Sequence, residues 1–435
     1  MKDLSTSRFQ FVHTADIHLD SPMRGLTKYE GVAVDRLRTA TRDAFRELIS
    51  KTIDARPDFL IIAGDLFDGD WKDYNTGFFF VNEMARLRQA EISAYVLYGN
   101  HDAQSQITKR LRLPENVYEF SHKTVESHRI DDLNVVLHGR SYPRRDVQEN
   151  MVQEYPSPKD GMFNIGVLHT GLGGIGGHAN YAPCTEEQLV NAGYDYWALG
   201  HVHTRQILNE YPHVVFPGNL QGRHINEDGP RSASLVTVEE GRVVDIEEWE
   251  CDVVRWHRLD VWVEEFTELV DVMTAIQQKV GEFQKDNEGE HTNAVRIRLT
   301  GTTPLHGSFV SGNEGLTRDV QALSLDIGRD SLWIERVEVA TTPPATVAQE
   351  ITVDEAMGEL QAMLVGAVGD SELAEHLQDE FARLSGKLQS ELKTDLEDNE
   401  RSYTHLLVNG KIEELLTQTA NRVMFEINRG EQNAN

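Results

Sequence analysis

The run Phe9-Gln10-Phe11-Val12-His13-Thr14-Ala15-Asp16-Ile17-His18 decides how the first half of the chain is read. Phe9 to Thr14 has the length and apolar content of a β-strand, and it stops at a turn carrying Asp16 and His18. The pattern returns at Phe59 to Ala63, an apolar strand that ends on Gly64-Asp65. Between them Leu37, Thr41, Ala44, Leu48 and Thr52 recur at helical spacing, and a second helix is expected from about Phe78 to Arg88, ahead of a strand at Ile92 to Leu97. Further strands are expected at Val135 to His138, Phe163 to Leu168, Tyr196 to Leu199, Val214 to Phe216 and Ser234 to Val238. Strand then helix early, and strand-rich later, indicates a layered α/β sandwich over residues 1–252.

The rhythm restarts beyond that point. Strands at Leu259 to Val263, Ala294 to Leu299 and Leu332 to Val339 enclose helices at about 266–283 and 314–326, a small β-α-β-α-β domain over 253–340. Thr341-Thr342-Pro343-Pro344-Ala345 opens a linker, 341–350, because neither proline fits a helix interior or a central strand. Residues 351–435 read as helical, with Leu373, Leu377, Phe381, Leu384 and Leu388 forming one apolar stripe and a second candidate helix from Lys411 to Ile427.

The chain has 435 residues, with 42 Lys plus Arg against 71 Asp plus Glu, a formal charge of −29 that argues against a broad basic surface for duplex DNA. The acid is uneven: residues 1–250 hold 26 basic and 37 acidic side chains, and the remaining 185 hold 16 and 34. Histidine is skewed the other way, with 12 of 17 in the first 250 residues, so metal or acid–base chemistry is expected there. Met1 to Arg8 has no apolar signal region, no stretch has the apolar length of a membrane span, and Cys184 and Cys251 are too few for a disulfide framework. A soluble protein of a reducing cytoplasm, with no membrane partner, is the expectation.

Five segments carry the chemistry: Asp16-Ile17-His18, Gly64-Asp65, Gly99-Asn100-His101-Asp102, His169 and Gly200-His201-Val202-His203. Each follows a predicted strand, and strand ends of a layered α/β fold converge on one rim, where ligands bind. In extended backbone, residues i and i+2 point the same way, so Asp16 with His18, and His201 with His203, are each expected to aim at one point. Two Asp, one Asn and four His, without thiolate, suit two divalent ions that share a carboxylate, manganese first, with iron and zinc as alternatives. Any one segment alone is commonly a cap or a turn; the five in series are not.

Their order resembles the calcineurin-like metallophosphoesterase superfamily over roughly residues 9–220. The longer strings FVHTADIHLDSPMRGL (11–26), GDLFDGDW (64–71), YGNHD (98–102), LHTGL (168–172), YAPCTEEQL (181–189), ALGHVH (198–203) and PGNLQGRHI (217–225) are similar to YhaO-type DNA repair exonucleases, relatives of the SbcD nuclease subunit. The resemblance implies that Asp16, His18, Asp65 and His203 hold one metal ion and Asp65, Asn100, His169 and His201 the other, with Asp65 as the bridge. It implies a DNA substrate, a homodimer, a capping role for 253–340 and an SbcC-like coiled-coil ATPase docked on the C-terminal helices. The chain departs from SbcD-like nucleases at Asp68, where those commonly carry His after Gly-Asp-Leu-Phe.

Two ions would activate a water for in-line attack at phosphorus. His101 is then the expected proton donor to the leaving oxygen, with Asp102 holding its ring. His13 is expected to be a core histidine, His178 to line the cleft, and Arg140 and Arg223 are candidates to touch substrate phosphate. The competing reading is a phosphodiesterase or phosphatase acting on small phosphorylated substrates; the extension beyond residue 254 argues against it.

Overall fold

Alternation along β1 (Arg8–Thr14) gives the strand two apolar faces, Phe9 and Phe11 on one and Val12 on the other. The computed structural model describes residues 8–21, 32–68, 74–104, 111–173, 181–287, 289, 291–328 and 331–344, with 363, 366, 377, 411, 412, 415, 416 and 419. In a six-stranded sheet β1 is parallel to β2 (Phe59–Ala63), which is followed in parallel by β3 (Ser93–Leu97) and β4 (Val117–Glu119). Helices α1 (Val32–Ala55) and α2 (Tyr74–Gln89) supply the crossovers.

The chain then builds a second six-stranded sheet. Its strands are β5 (Glu126–Ile130), β6 (Val135–Gly139), β7 (Phe163–His169), β8 (Tyr196–Gly200), β9 (Gln206–Glu210) and β10 (His213–Phe216), in the order β5-β6-β7-β8-β10-β9. The short α3 (Glu186–Asn191), capped by Thr185 and Gln188, stands between β7 and β8. Finally β11 (Ser232–Glu239) returns to pair antiparallel with β1, and β12 (Arg242–Glu250) closes that edge of the first sheet.

Three apolar layers hold these parts. Phe9, Phe11, Phe59 and Tyr95 of the first sheet meet Phe163, Ile165 and Tyr196 of the second. Outside them Val12, Leu60 and Ile62 pack on Phe45, Leu48, Phe80 and Met84 of α1 and α2, while Trp197, Leu199 and Phe216 pack with Leu189 and Tyr142. Strands covered on both faces read as unbroken apolar runs, and every residue of β2 and β7 is buried. Phe11 sits at the centre, stacked on Phe59 at 5.1 Å and edge-on to Tyr196 at 5.2 Å. Phe11→Ala should cost about 3–5 kcal/mol through the cavity it leaves. A urea-unfolding loss below about 1 kcal/mol would show that the sheets can close over the gap.

Residues Met1–Trp256 with Glu290–Asn293 form one compact unit, and His257–Gly289 with the chain from Ala294 onward form another. In the second, β13 (Val254–Trp262), β14 (Thr292–Thr302) and β15 (Leu332–Thr342) make a three-stranded sheet with α4 (Leu269–Asp286) and α5 (His306–Gly328). Val272, Ile276 and Val280 of α4 and Phe309 and Val320 of α5 bury against Val295, Ile297 and Ile334. The stripe at 373–388 and most of 345–435 lie outside the described residues; Leu377, Ile412, Leu415 and Leu416 among those described are helical. No helix among the described residues is long and apolar enough to cross a membrane.

Candidate metal centre

Five loops at the carboxyl ends of strands in both sheets meet at one place. Asp16 and His18 follow β1, Asp65 follows β2, Asn100 follows β3, His169 ends β7, and His201 and His203 follow β8. Asp16, His18, Asp65, Asn100 and His169 are each 2% exposed or less. Ionisable groups at that burial need partners or ions.

The loops are unusually shaped. Asp16, His18 and Asp65 have φ of 50°, 47° and 50°, and His201 has 102°, a left-handed region disfavoured for side-chain-bearing residues. The Asp16–His18 and His201–His203 pairs therefore do not project from extended backbone, which corrects the expectation from spacing. Asp16 and His18 still share one side. His201 and His203 separate, His203 to the Asp16–His18 group and His201 to Asp65 and His169.

Two donor sets result, and a third group, His18 with Asp68 and His101, lies beside them. His18 Nε2 and His203 Nε2 face each other at 3.3 Å, and His203 Nε2 is 3.9 Å from Asp16 Oδ1. In the other set His169 Nε2 is 3.0 Å from Asn100 Oδ1 and 3.3 Å from Asp65 Oδ2. The same Asp65 oxygen is 4.0 Å from His18 Nε2, so its carboxylate stands between the sets. Imidazole nitrogens gathered on carboxylate oxygens in this way fit divalent ions, and the buried His18 Nδ1 has no hydrogen-bond partner of its own.

Outer contacts fix the rings. His169 Nδ1 is 3.0 Å from the Ala63 carbonyl, which leaves Nε2 to face the donors. Only glycine permits this approach: a Cβ on Gly200 would lie 2.1 Å from the Ala63 oxygen and 2.8 Å from His169 Nδ1. Gly200→Ala should therefore displace His169 and weaken ion binding in calorimetry; wild-type affinity in that variant would refute the crowding. Burial opposes a charge on His169, but Asp65 beside it, with Asp16 beyond, holds its pKa up at about 9. In protein stripped of divalent ions by a chelator, His169 contributes stability that is full below its unfolded pKa of 6.5 and is lost as pH rises through about 9. Ion binding should tighten over that window as the competing proton leaves, which calorimetry at several pH values would show.

His101 lies at the rim, its backbone N–H donating to Asp65 Oδ1 at 3.0 Å. Its Nδ1 is 2.8 Å from Asp68 Oδ1, not from Asp102. Asp102 is spent elsewhere: its carboxylate accepts backbone N–H groups of Leu66, Phe67 and Gly99 at 3.1, 2.8 and 2.8 Å, tying the second motif to the third. The expectation that Asp102 holds the His101 ring is thus corrected, and Asp68, set aside in the sequence as a departure, takes that place. Burial, with Asp65 nearby, raises the Asp102 pKa to about 7 despite those donors. Burial likewise opposes charge on His101, yet Asp65 and the Asp68 hydrogen bond raise its pKa above the ordinary imidazole value.

Sequence reasoning missed Glu227 and Ser21. Glu227 Oε1 is 2.6 Å from His203 Nδ1, and Ser21 Oγ donates to Asp68 Oδ2 at 2.7 Å. Arg223 stands between them, 3.2 Å from Glu227 and 3.5 Å from Ser21 Oγ. Arg140 instead pairs with Glu154 at 2.6 Å, and His13 is a core residue between the Tyr196 hydroxyl and the Leu199 carbonyl. His178 lies outside the described residues.

Comparison with known proteins agrees with this geometry. The model of the calcineurin-like phosphoesterases matches residues 9–205, and that of the middle domain of metallophosphoesterase YhaO matches 256–342. An uncharacterized metallophosphoesterase YhaO of Bacillus subtilis (strain 168) is 37% identical over 299 residues, 68% of this chain and 72% of that protein. The chain belongs to the YhaO family of calcineurin-like metallophosphoesterases. As in that superfamily, this chain is a hydrolase of phosphoester bonds whose fold uses divalent metal ions. A DNA double-strand break repair protein Mre11 of Methanopyrus kandleri is 24% identical over 210 residues, 45% of this chain and 44% of that protein. One of Sulfurisphaera tokodaii is 25% identical over 207 residues, 46% and 50%. This chain thus spans about half the length of these Mre11 relatives. A dimetal phosphatase from Danio rerio is similar with a TM-score of 0.36 and 11% identity, covering 56% of this chain and 96% of that one, too distant to bear on function.

Proposed function

We propose that this chain is a metal-dependent DNA exonuclease that hydrolyses phosphodiester bonds in DNA repair, working in the cytoplasm with an SbcC-like ATPase bound to 351–435. The observation that carries the reading is the meeting of Asp16, His18, Asp65, Asn100, His169, His201 and His203 beside a rim histidine whose ring is held by Asp68. Distant likeness to Mre11 repair proteins supports DNA as the substrate. Two divalent ions, manganese first, would be held by the seven side chains and would supply charge neutralisation and water activation at phosphorus.

The chain's own residues do the rest. Asp65 lies between the donor sets and also accepts the His101 backbone N–H, so it sets the distance from the ions to the rim. His101 donates its Nε2 proton to the departing sugar oxygen, because Asp68 occupies Nδ1. No residue forms a covalent bond to phosphorus in this scheme.

Manganese-supported digestion of end-labelled single- and double-stranded DNA, beside a chromogenic phosphodiester, tests the reading. DNA shortened from its ends is the expected result; turnover of the chromogenic ester alone would overturn it. That outcome would favour an esterase for small phosphorylated substrates.

A further inference from the structure

Behind His203 lies a buried carboxylate whose acceptor sites are all taken. Glu227 is 5% exposed. Its Oε1 faces His203 Nδ1 at 2.6 Å and the Arg223 guanidinium at 3.2 Å, while Oε2 accepts the Arg223 backbone N–H at 2.7 Å and Asn219 Nδ2 at 3.0 Å. His224 Nε2 approaches Oε1 at 3.6 Å. A carboxylate held from four directions cannot turn, so it offers His203 an acceptor of fixed position. A ring nitrogen that donates to such an acceptor keeps its proton, and the opposite nitrogen presents a lone pair in a fixed direction. For His203 that opposite nitrogen is Nε2, which faces His18 Nε2 and Asp16 Oδ1.

His169, in the other donor set, has no comparable carboxylate behind it. Its Nδ1 meets the neutral carbonyl of Ala63. The two rings are therefore backed differently, His203 by a charged group and His169 by the backbone.

From this asymmetry we infer that Glu227 is a positioning residue for the Asp16–His18–His203 ion alone, tightening that ion through His203 while leaving the Asp65–Asn100–His169–His201 ion unaffected. The inference rests on the two-ion reading above. It gives the two ions separate handles, so that one can be weakened without the other.

Calorimetric titration of the full chain with manganese(II) tests it. Wild type should bind two ions. Glu227→Gln should keep one at unchanged affinity and bind the other about ten- to hundredfold more weakly. Glutamine also turns an amide toward Arg223 and Asn219, so Glu227→Asp provides a second variant: it keeps the charge but is one methylene too short to reach His203 while held from behind. It should show the same single weakened ion. Histidine nitrogen NMR of labelled wild type loaded with zinc(II) needs no variant, and should find His203 Nδ1 protonated and hydrogen-bonded. Two unchanged ions in a folded variant, equal weakening of both, or an unprotonated His203 Nδ1 would each overturn the role of Glu227. A wild type that binds no manganese would instead sink the two-ion reading.

Discussion

His101→Ala should lower phosphodiester turnover by about 10²- to 10⁴-fold, the range of a positioned general acid, while leaving two bound manganese ions per chain. The ring is grouped with His18 and Asp68 beside the two donor sets and meets Asp68 through Nδ1 at 2.8 Å, so retention of both ions in the variant is what marks it as a proton donor and not a ligand. Asp68→Asn should be milder, about tenfold or a little more, because the amide can still accept from Nδ1 but no longer favours the charged ring. The loss should also depend on the leaving group. An ester whose leaving oxygen departs as a stable phenolate needs no proton, and on it His101→Ala should approach wild type. Equal loss on both esters would remove His101 from proton donation. Loss of manganese from the variant would make it a ligand instead.

Asp65→Ala should abolish turnover and reduce the bound manganese at both positions, a broader failure than that of any other single residue here. Its Oδ2 lies 3.3 Å from His169 Nε2 and 4.0 Å from His18 Nε2, and its Oδ1 accepts the His101 N–H at 3.0 Å. Asp16→Ala, by contrast, removes a carboxylate grouped with His18 and His203 that reaches the other set only as acceptor of the His201 backbone N–H, at 2.9 and 3.1 Å, and should cost mainly the ion on the His203 side. Metal content after gel filtration separates the two. If Asp65→Ala kept two ions, its place between the sets would be ruled out.

The sequence makes the ligand shell legible because its members are chemically rare types standing at the ends of apolar strands, and the buried parallel strands are legible because both of their faces are covered. β12 is absent from the expected strands because only part of it is apolar: Arg242, Asp245, Glu247, Glu248 and Glu250 belong to a sheet edge that faces water. The partners behind the ligands escaped for another reason. Ser21 and Asp68 are 47 residues apart, and Glu227 is one of 37 acidic residues in the first 250, with nothing local to mark it. Contacts of that kind arise only when strand ends from distant parts of the chain are brought together. The left-handed backbone at Asp16, His18 and Asp65 is equally silent, because none of the three is the glycine that usually signals it.

One consequence follows from where the ligands are rooted. Asp16, Asp65 and Asn100 belong to loops of one sheet, and His169, His201 and His203 to the other. An ion bound among them fastens the two sheets like a rivet, outside the aromatic layer that already glues them. By mass action, free ion at a hundredfold excess over its dissociation constant adds about 2.7 kcal/mol to the folded state for each such site. The melting temperature thus becomes a gauge of sheet alignment. A core substitution such as Phe11→Ala, which removes no ligand, should blunt the response to manganese if it lets the sheets slide, and leave the response whole if the gap simply stays open.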